Sequence, residues 1–136
     1  MTVVGVDHVQ VAAPAGCEAQ ARRFYGGLLG LEELSKPEAL RSRGGAWFAC
    51  GAQQLHVGVE EDFRPATKAH PALRVGSLAE LTDLADALTA EGAPVRWDDD
   101  LPGTPRFYTA DPFGNRLELL AGPDPLSPAH SGGQTP

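Results

Sequence analysis

Three histidines and one glutamate stand out because their types can bind a metal ion and their spacing repeats. His56 follows His8 by 48 residues (56 − 8), and Glu118 follows His70 by the same 48 (118 − 70). Imidazole nitrogens suit Zn, Ni, Fe and Cu, and a carboxylate adds hard-oxygen affinity and charge compensation. Four such ligands on an octahedral ion leave two positions for water or substrate oxygens. An ion so held lowers the pKa of bound water or polarises a carbonyl. The candidate metal ligands are therefore His8, His56, His70 and Glu118.

The elements that must position them come in the same order twice. Residues 4–12 carry valines at every second or third place and predict a strand. Ala21, Phe24, Tyr25 and Leu28 then form one helical stripe, with Gly30 as its C′ residue. Short strands follow near 31–35, 45–50 and 54–60. The second half predicts a strand over His70–Val75 and a helix opened by the Ser77–Glu80 capping box and closed at Gly92. Strands near 94–97, 105–110 and 115–121 complete it, the last two separated by the turn Asp111-Pro112-Phe113-Gly114-Asn115.

The fold class expected is thus α+β, two βαβββ modules over residues 1–60 and 70–122, joined by 61–69. Residues 123–136 hold four prolines and little apolar content and read as a flexible tail, His130 included. Strand parity groups the ligands. Side chains alternate faces, so His8, His56, His70 and Glu118 each oppose the more apolar side of their strand.

Composition narrows the function classes. A length of 136 residues allows one domain with a single core. The formal net charge of −7 and eleven scattered Lys and Arg argue against nucleic acid as a partner. No apolar run approaches the roughly 20 residues of a membrane span, and the start Met1-Thr2-Val3-Val4-Gly5 is unlike a signal peptide. A cytoplasmic location with no membrane partner is expected. Cys17 and Cys50 form no CxxC pair and suggest neither a disulfide framework nor a nucleophile.

The residues resemble the vicinal oxygen chelate superfamily, which includes glyoxalase I, bleomycin-binding resistance proteins, fosfomycin-modifying enzymes and extradiol dioxygenases. Asp7-His8-Val9, Ala21-Arg22-Arg23-Phe24-Tyr25, Leu29-Gly30-Leu31 and His70-Pro71-Ala72-Leu73-Arg74-Val75 carry the resemblance. Its most specific part is Asp111-Pro112-Phe113-Gly114-Asn115-Arg116-Leu117-Glu118-Leu119. The resemblance implies mixed sheets curled around a metal-binding cleft, usually in a homodimer. By motif position it makes His8, His70 and Glu118 ligands of one divalent transition metal, with Zn, Ni, Fe and Mn undistinguished. His56 falls on the strand that supplies a fourth ligand in glyoxalase-like and epimerase-like members, where Glu or Gln is the usual residue.

Three functions follow from that likeness. In the first, a lyase or isomerase chelates a small substrate through vicinal oxygens and stabilises an enediolate while Glu118, the candidate catalytic base, moves a proton. In the second, His8, His70 and Glu118 form an Fe(II) triad for ring cleavage, which His56 would obstruct. In the third, a metal-free module sequesters a bleomycin-like drug in a cleft lined by Trp47, Phe48, Trp97, Phe107, Tyr108 and Phe113. Substrate contacts are expected from Trp47, Tyr108, Arg74 and Arg116, with Arg106 a further candidate; Arg74 and Arg116 share predicted faces with the ligands and could neutralise an anionic substrate or Glu118.

Overall fold

The computed structural model describes residues 2–122. The segment 123–136, read as a tail, lies outside the described residues, as does His130. The first sheet contains β1 (His8–Ala13), β2 (Glu33–Leu34), β3 (Ala46–Cys50) and β4 (Gln53–Val59), in the order β1-β4-β3-β2. The second contains β5 (Ala72–Val75), β6 (Arg96–Asp98), β7 (Arg106–Ala110) and β8 (Arg116–Ala121), in the order β5-β8-β7-β6. In each, the first strand runs parallel to the last and the other pairings are antiparallel. The fold is α+β, two mixed four-stranded sheets of identical order, and neither sheet closes on itself.

One face of each sheet builds the core. Phe48, Leu55 and Val57 from the first and Phe107, Leu117 and Leu119 from the second join Phe24, Tyr25, Leu81 and Leu88 in a single buried cluster. Burying each such side chain contributes about 1.5–3 kcal/mol, so strand parity is fixed by this face and the polar residues are sent to the other. Phe48 and Phe107 are core residues and line no ligand cleft, because they point to the buried side. Phe113 is half-buried against the same core.

The second helix, α3 (Leu78–Ala90), follows its sequence signals: the Ser77 side chain accepts from the Glu80 backbone N–H, and Gly92 closes the helix at φ +85°. The first departs from expectation. Only α1 (Glu18–Ala21) is α-helical, and Arg22–Leu28 continues with the wider π-type turn, in which the Leu29 N–H donates to the Phe24 carbonyl. Gly26 and Gly27 lie in that turn. Gly30 ends the segment at φ +75°, as expected of a C′ residue.

Four strands, β1, β2, β5 and β6, start at least two residues later than the apolar pattern predicts. Residues before Asp7, whose carbonyl still accepts from the Gln54 N–H, have no strand to pair with, since β4 begins at Gln53, and Val3, Val4 and Val6 stay exposed. β5 starts at Ala72 rather than His70 because Pro71 has no N–H to give the ladder. A short helix, α2 (Glu38–Arg41), follows Pro37 in a stretch the sequence pattern left unassigned. Cys17 is buried, whereas Cys50 is only half-buried, and burial pushes both thiols above their ordinary value. No described helix is long and apolar enough to cross a membrane.

Candidate metal-binding half-sites

The parallel pairing of β1 with β4 puts His8 opposite Gln54 and Gln10 opposite His56, all on the face away from the core. Trp47 on β3 stands opposite His56 and lies flat on it, with ring centroids 4.0 Å apart and planes 2° apart. His8 stacks on the other side of His56 at 4.3 Å. The exposed His8 ring meets the Asp7 carboxylate through Nδ1 at 2.8 Å. That acceptor holds a hydrogen on Nδ1 and fixes the ring, the kind of contact that orients metal-binding imidazoles. His56 is the buried ring of the stack, and its Nε2 meets the Gln54 amide oxygen at 2.8 Å. Burial, and then the neighbouring His8, hold His56 below its ordinary pKa, so the ring stays neutral at neutral pH.

The second sheet repeats the plan with different chemistry. Ala72, Glu118, Tyr108 and Arg96 form one row across β5, β8, β7 and β6. His70, just before β5, directs Nε2 at Glu118 Oε1 (3.1 Å), while its Nδ1 meets the Lys68 carbonyl oxygen at 2.9 Å. Since the carbonyl can only accept, Nδ1 carries the hydrogen. Nε2 faces the carboxylate, so an imidazole nitrogen and a carboxylate oxygen, two donor types that suit a divalent cation, stand side by side. The other carboxylate oxygen of Glu118 lies 3.5 Å from Arg106 Nη1. Arg106 is itself held by Nε and Nη2 on Asp98 Oδ1. The Asp100 N–H, and then Arg106, keep the Asp98 carboxyl below its ordinary pKa.

Tyr108 is the centre of a cationic cluster. The guanidinium carbons of Arg116, Arg106 and Arg96 lie 4.1, 5.5 and 5.6 Å from its ring centroid, and the ring also meets His70 edge-on at 5.5 Å. Arg74 sits on the same face by register and donates to the Gly122 carbonyl.

The two modules are tied together by the turn that closes the second. The Asp111 carboxylate accepts from the Tyr25 hydroxyl at 2.7 Å, from the Phe113 and Asn115 backbone N–H groups, and from the Asn115 side-chain amide. Asn115 Nδ2 also donates to the Ala12 carbonyl on β1, and its Oδ1 accepts from the Ala66 N–H. Sequence reading found this segment as a turn but not its reach.

The ligands predicted from spacing are therefore gathered two and two, His8 on His56 and His70 on Glu118. Among the described residues no three His, Cys, Asp or Glu side chains stand together as a metal site. Of the expected substrate contacts, Trp47 packs on the His56 ring, while Tyr108 and Arg116 stack with each other beside the second pair. Among the described residues Arg106 is the arginine that forms an ion pair with Glu118. Gln54 shares the outward face of β4 with His56, two residues along, whereas Asp98 meets Arg106 only through the register of β6 with β7.

A family model described as the Glyoxalase/Bleomycin resistance protein/Dioxygenase superfamily matches residues 5–119. A solved structure assigned to the glyoxalase family, from Bacillus anthracis, is 50% identical, with TM-score 0.82 over 89% of this chain and 97% of that one. Lactoylglutathione lyase from Agrobacterium tumefaciens is 21% identical, with TM-score 0.68 over 90% and 96%. A mutant of the fosfomycin resistance protein FosX from Listeria monocytogenes, complexed with Mn(II) and 1S,2S-dihydroxypropylphosphonic acid, is 17% identical, with TM-score 0.72 over 89% and 94%. At such identities the last two speak to the fold alone. Among curated proteins, none matches.

Proposed function

Because the chain belongs to the glyoxalase/bleomycin resistance protein/dioxygenase superfamily, we propose that it is a metal-dependent enzyme of lyase or isomerase type acting on a small molecule through two adjacent oxygens. The observation that carries this reading is the paired placement of His8 with His56 and of His70 with Glu118 at corresponding places in two sheets, His70 just ahead of its strand. The donor set fits one divalent ion of the Zn, Ni, Fe or Mn kind. His8 and His70 each have Nδ1 anchored on an oxygen, leaving Nε2 to bind. Such an ion would polarise the two substrate oxygens.

Glu118 is the base of this reading. Its carboxylate, steadied by His70 and Arg106, accepts a proton from a carbon beside those oxygens, the step that lyase and isomerase chemistry share. Trp47 and Tyr108 supply apolar walls. The half-sites belong to open sheets, and the proposed active form is a homodimer in which His8 and His56 of one copy meet His70 and Glu118 of the other.

Elemental analysis of protein purified without added metal tests the reading. Bound metal that disappears in both His8→Ala and Glu118→Ala supports it; metal content untouched by those changes refutes it.

A further inference from the structure

With a formal net charge of −7, this chain nevertheless places four of its nine arginines, Arg74, Arg96, Arg106 and Arg116, on one face of one sheet. Three of them converge on Tyr108, within 5.6 Å of its ring centroid. Like charges gathered so closely repel unless something negative lies among them. The carboxylates on the same face are Asp98 and Glu118, and both are engaged by Arg106. Arg96 and Arg116 make no ion pair among the described residues; Arg96 only acts on Asp98 through space. Arg116, the nearest to the ring at 4.1 Å, is half-buried and two residues from Glu118 on the same side of β8.

We infer that Arg116 and Arg96, spread over Tyr108, form an oxyanion subsite, and that the substrate carries a carboxylate or phosphoryl-type group seated there beside Glu118. This rests on the metal-dependent reading for the identity of the bound molecule as a substrate, but the subsite itself needs no metal. Planar guanidinium groups offer paired N–H donors to such an anion, which an ammonium could not match. The Tyr108 ring lies 4.1 Å from the Arg116 guanidinium carbon and 5.6 Å from that of Arg96, within cation–π reach of both. The first sheet has no counterpart: Gln54 occupies the place of Arg116, both lying 62 residues apart like His8 and His70. The cluster thus sets which end of an asymmetric substrate faces the second sheet.

The test is calorimetric titration of metal-stripped protein with inorganic phosphate. Saturable binding is expected in the wild type, weakened about ten-fold by Arg116→Gln and about three-fold by Arg96→Gln, and lost in the double variant. Arg116→Lys, which keeps the charge without the planar fork, should retain only part of the affinity. Arg23→Gln, on the far side at Glu91, should change nothing. Unchanged thermal melting of each variant shows that the fold is intact. No saturable binding in the wild type, or equal losses from Arg23→Gln, overturns the subsite. Phosphate binding that needs added metal and ignores the arginines also overturns it, while leaving the metal site standing. Arginine-dependent phosphate binding in a protein that takes up no metal upholds the subsite and refutes the metal reading alone.

Discussion

The two sheets share a strand order, yet their exposed faces carry opposite chemistry. The first presents an aromatic stack, His8 on His56 on Trp47, with Gln54 bonded to the central ring. The second presents charge: Glu118 between His70 and Arg106, and three guanidinium groups around Tyr108. Matched backbone positions, Trp47 and Tyr108, His56 and Glu118, Gln54 and Arg116, thus hold different side chains. What the duplication preserves is geometry. On the proposed reading, one half specialises in imidazole donors for an ion while the other supplies the base and reads the charge of what is bound.

The largest effect expected from breaking this comparison is that of Glu118→Ala. It should weaken metal binding by more than about 100-fold, beyond the usual loss of a supporting contact, measured by competition with a chelating dye. Equal metal affinity in the variant would remove the second sheet from the site. Mixing His8→Ala with Glu118→Ala protein, refolded together, comes next. Sites shared between copies leave one intact site in each heterodimer, so metal should recover to about a quarter of the wild-type content per chain. No recovery places all four ligands within one chain.

His56→Ala should cost less, about ten-fold in metal affinity, because His56 must give up its Gln54 bond before it can ligate. A loss as large as that from His8→Ala would make it a full ligand. The smallest effect concerns the turn common to both modules. Tyr25→Phe should lower stability by about 1 kcal/mol and leave metal affinity alone. Burial, with Asp111 beside it, pushes the Tyr25 phenol up from its ordinary value. The folded state therefore keeps a proton that the unfolded chain loses above about pH 10, and stability falls as pH rises past that point. Denaturant melts across that range should show a shallower alkaline fall in Tyr25→Phe.

Much of the architecture was legible because it rests on local rules. The Ser77 cap, the Gly92 and Gly30 stops, and the alternation in β4 and β8 each depend on a few adjacent residues. The π-type turn at Arg22–Leu28 was not legible, since its apolar stripe fits an α-helix equally well and the Tyr25–Asp111 bond, which joins residues 86 apart, is tertiary. In the candidate site, equal spacing matched the side chains that stand together, His8 with His56 and His70 with Glu118. The arginine cluster looked scattered because Arg96 and Arg106 are separated by the 99–105 connection, whose length says nothing about register. Acidity of the whole chain likewise gave no hint that one face would be cationic.

Asn115 has a further consequence, in the order of events during synthesis. Its amide closes on the Ala12 carbonyl, 103 residues earlier in the chain. At 5–20 residues per second a ribosome needs about 5–20 s to cover that interval. Through that time the edge of β1 near Ala12 waits without its final partner, and contacts so distant in sequence form slowly. The last hairpin to be made is therefore the clasp that fastens the first strand, and a chain stopped before residue 115 would leave that edge open to a neighbour.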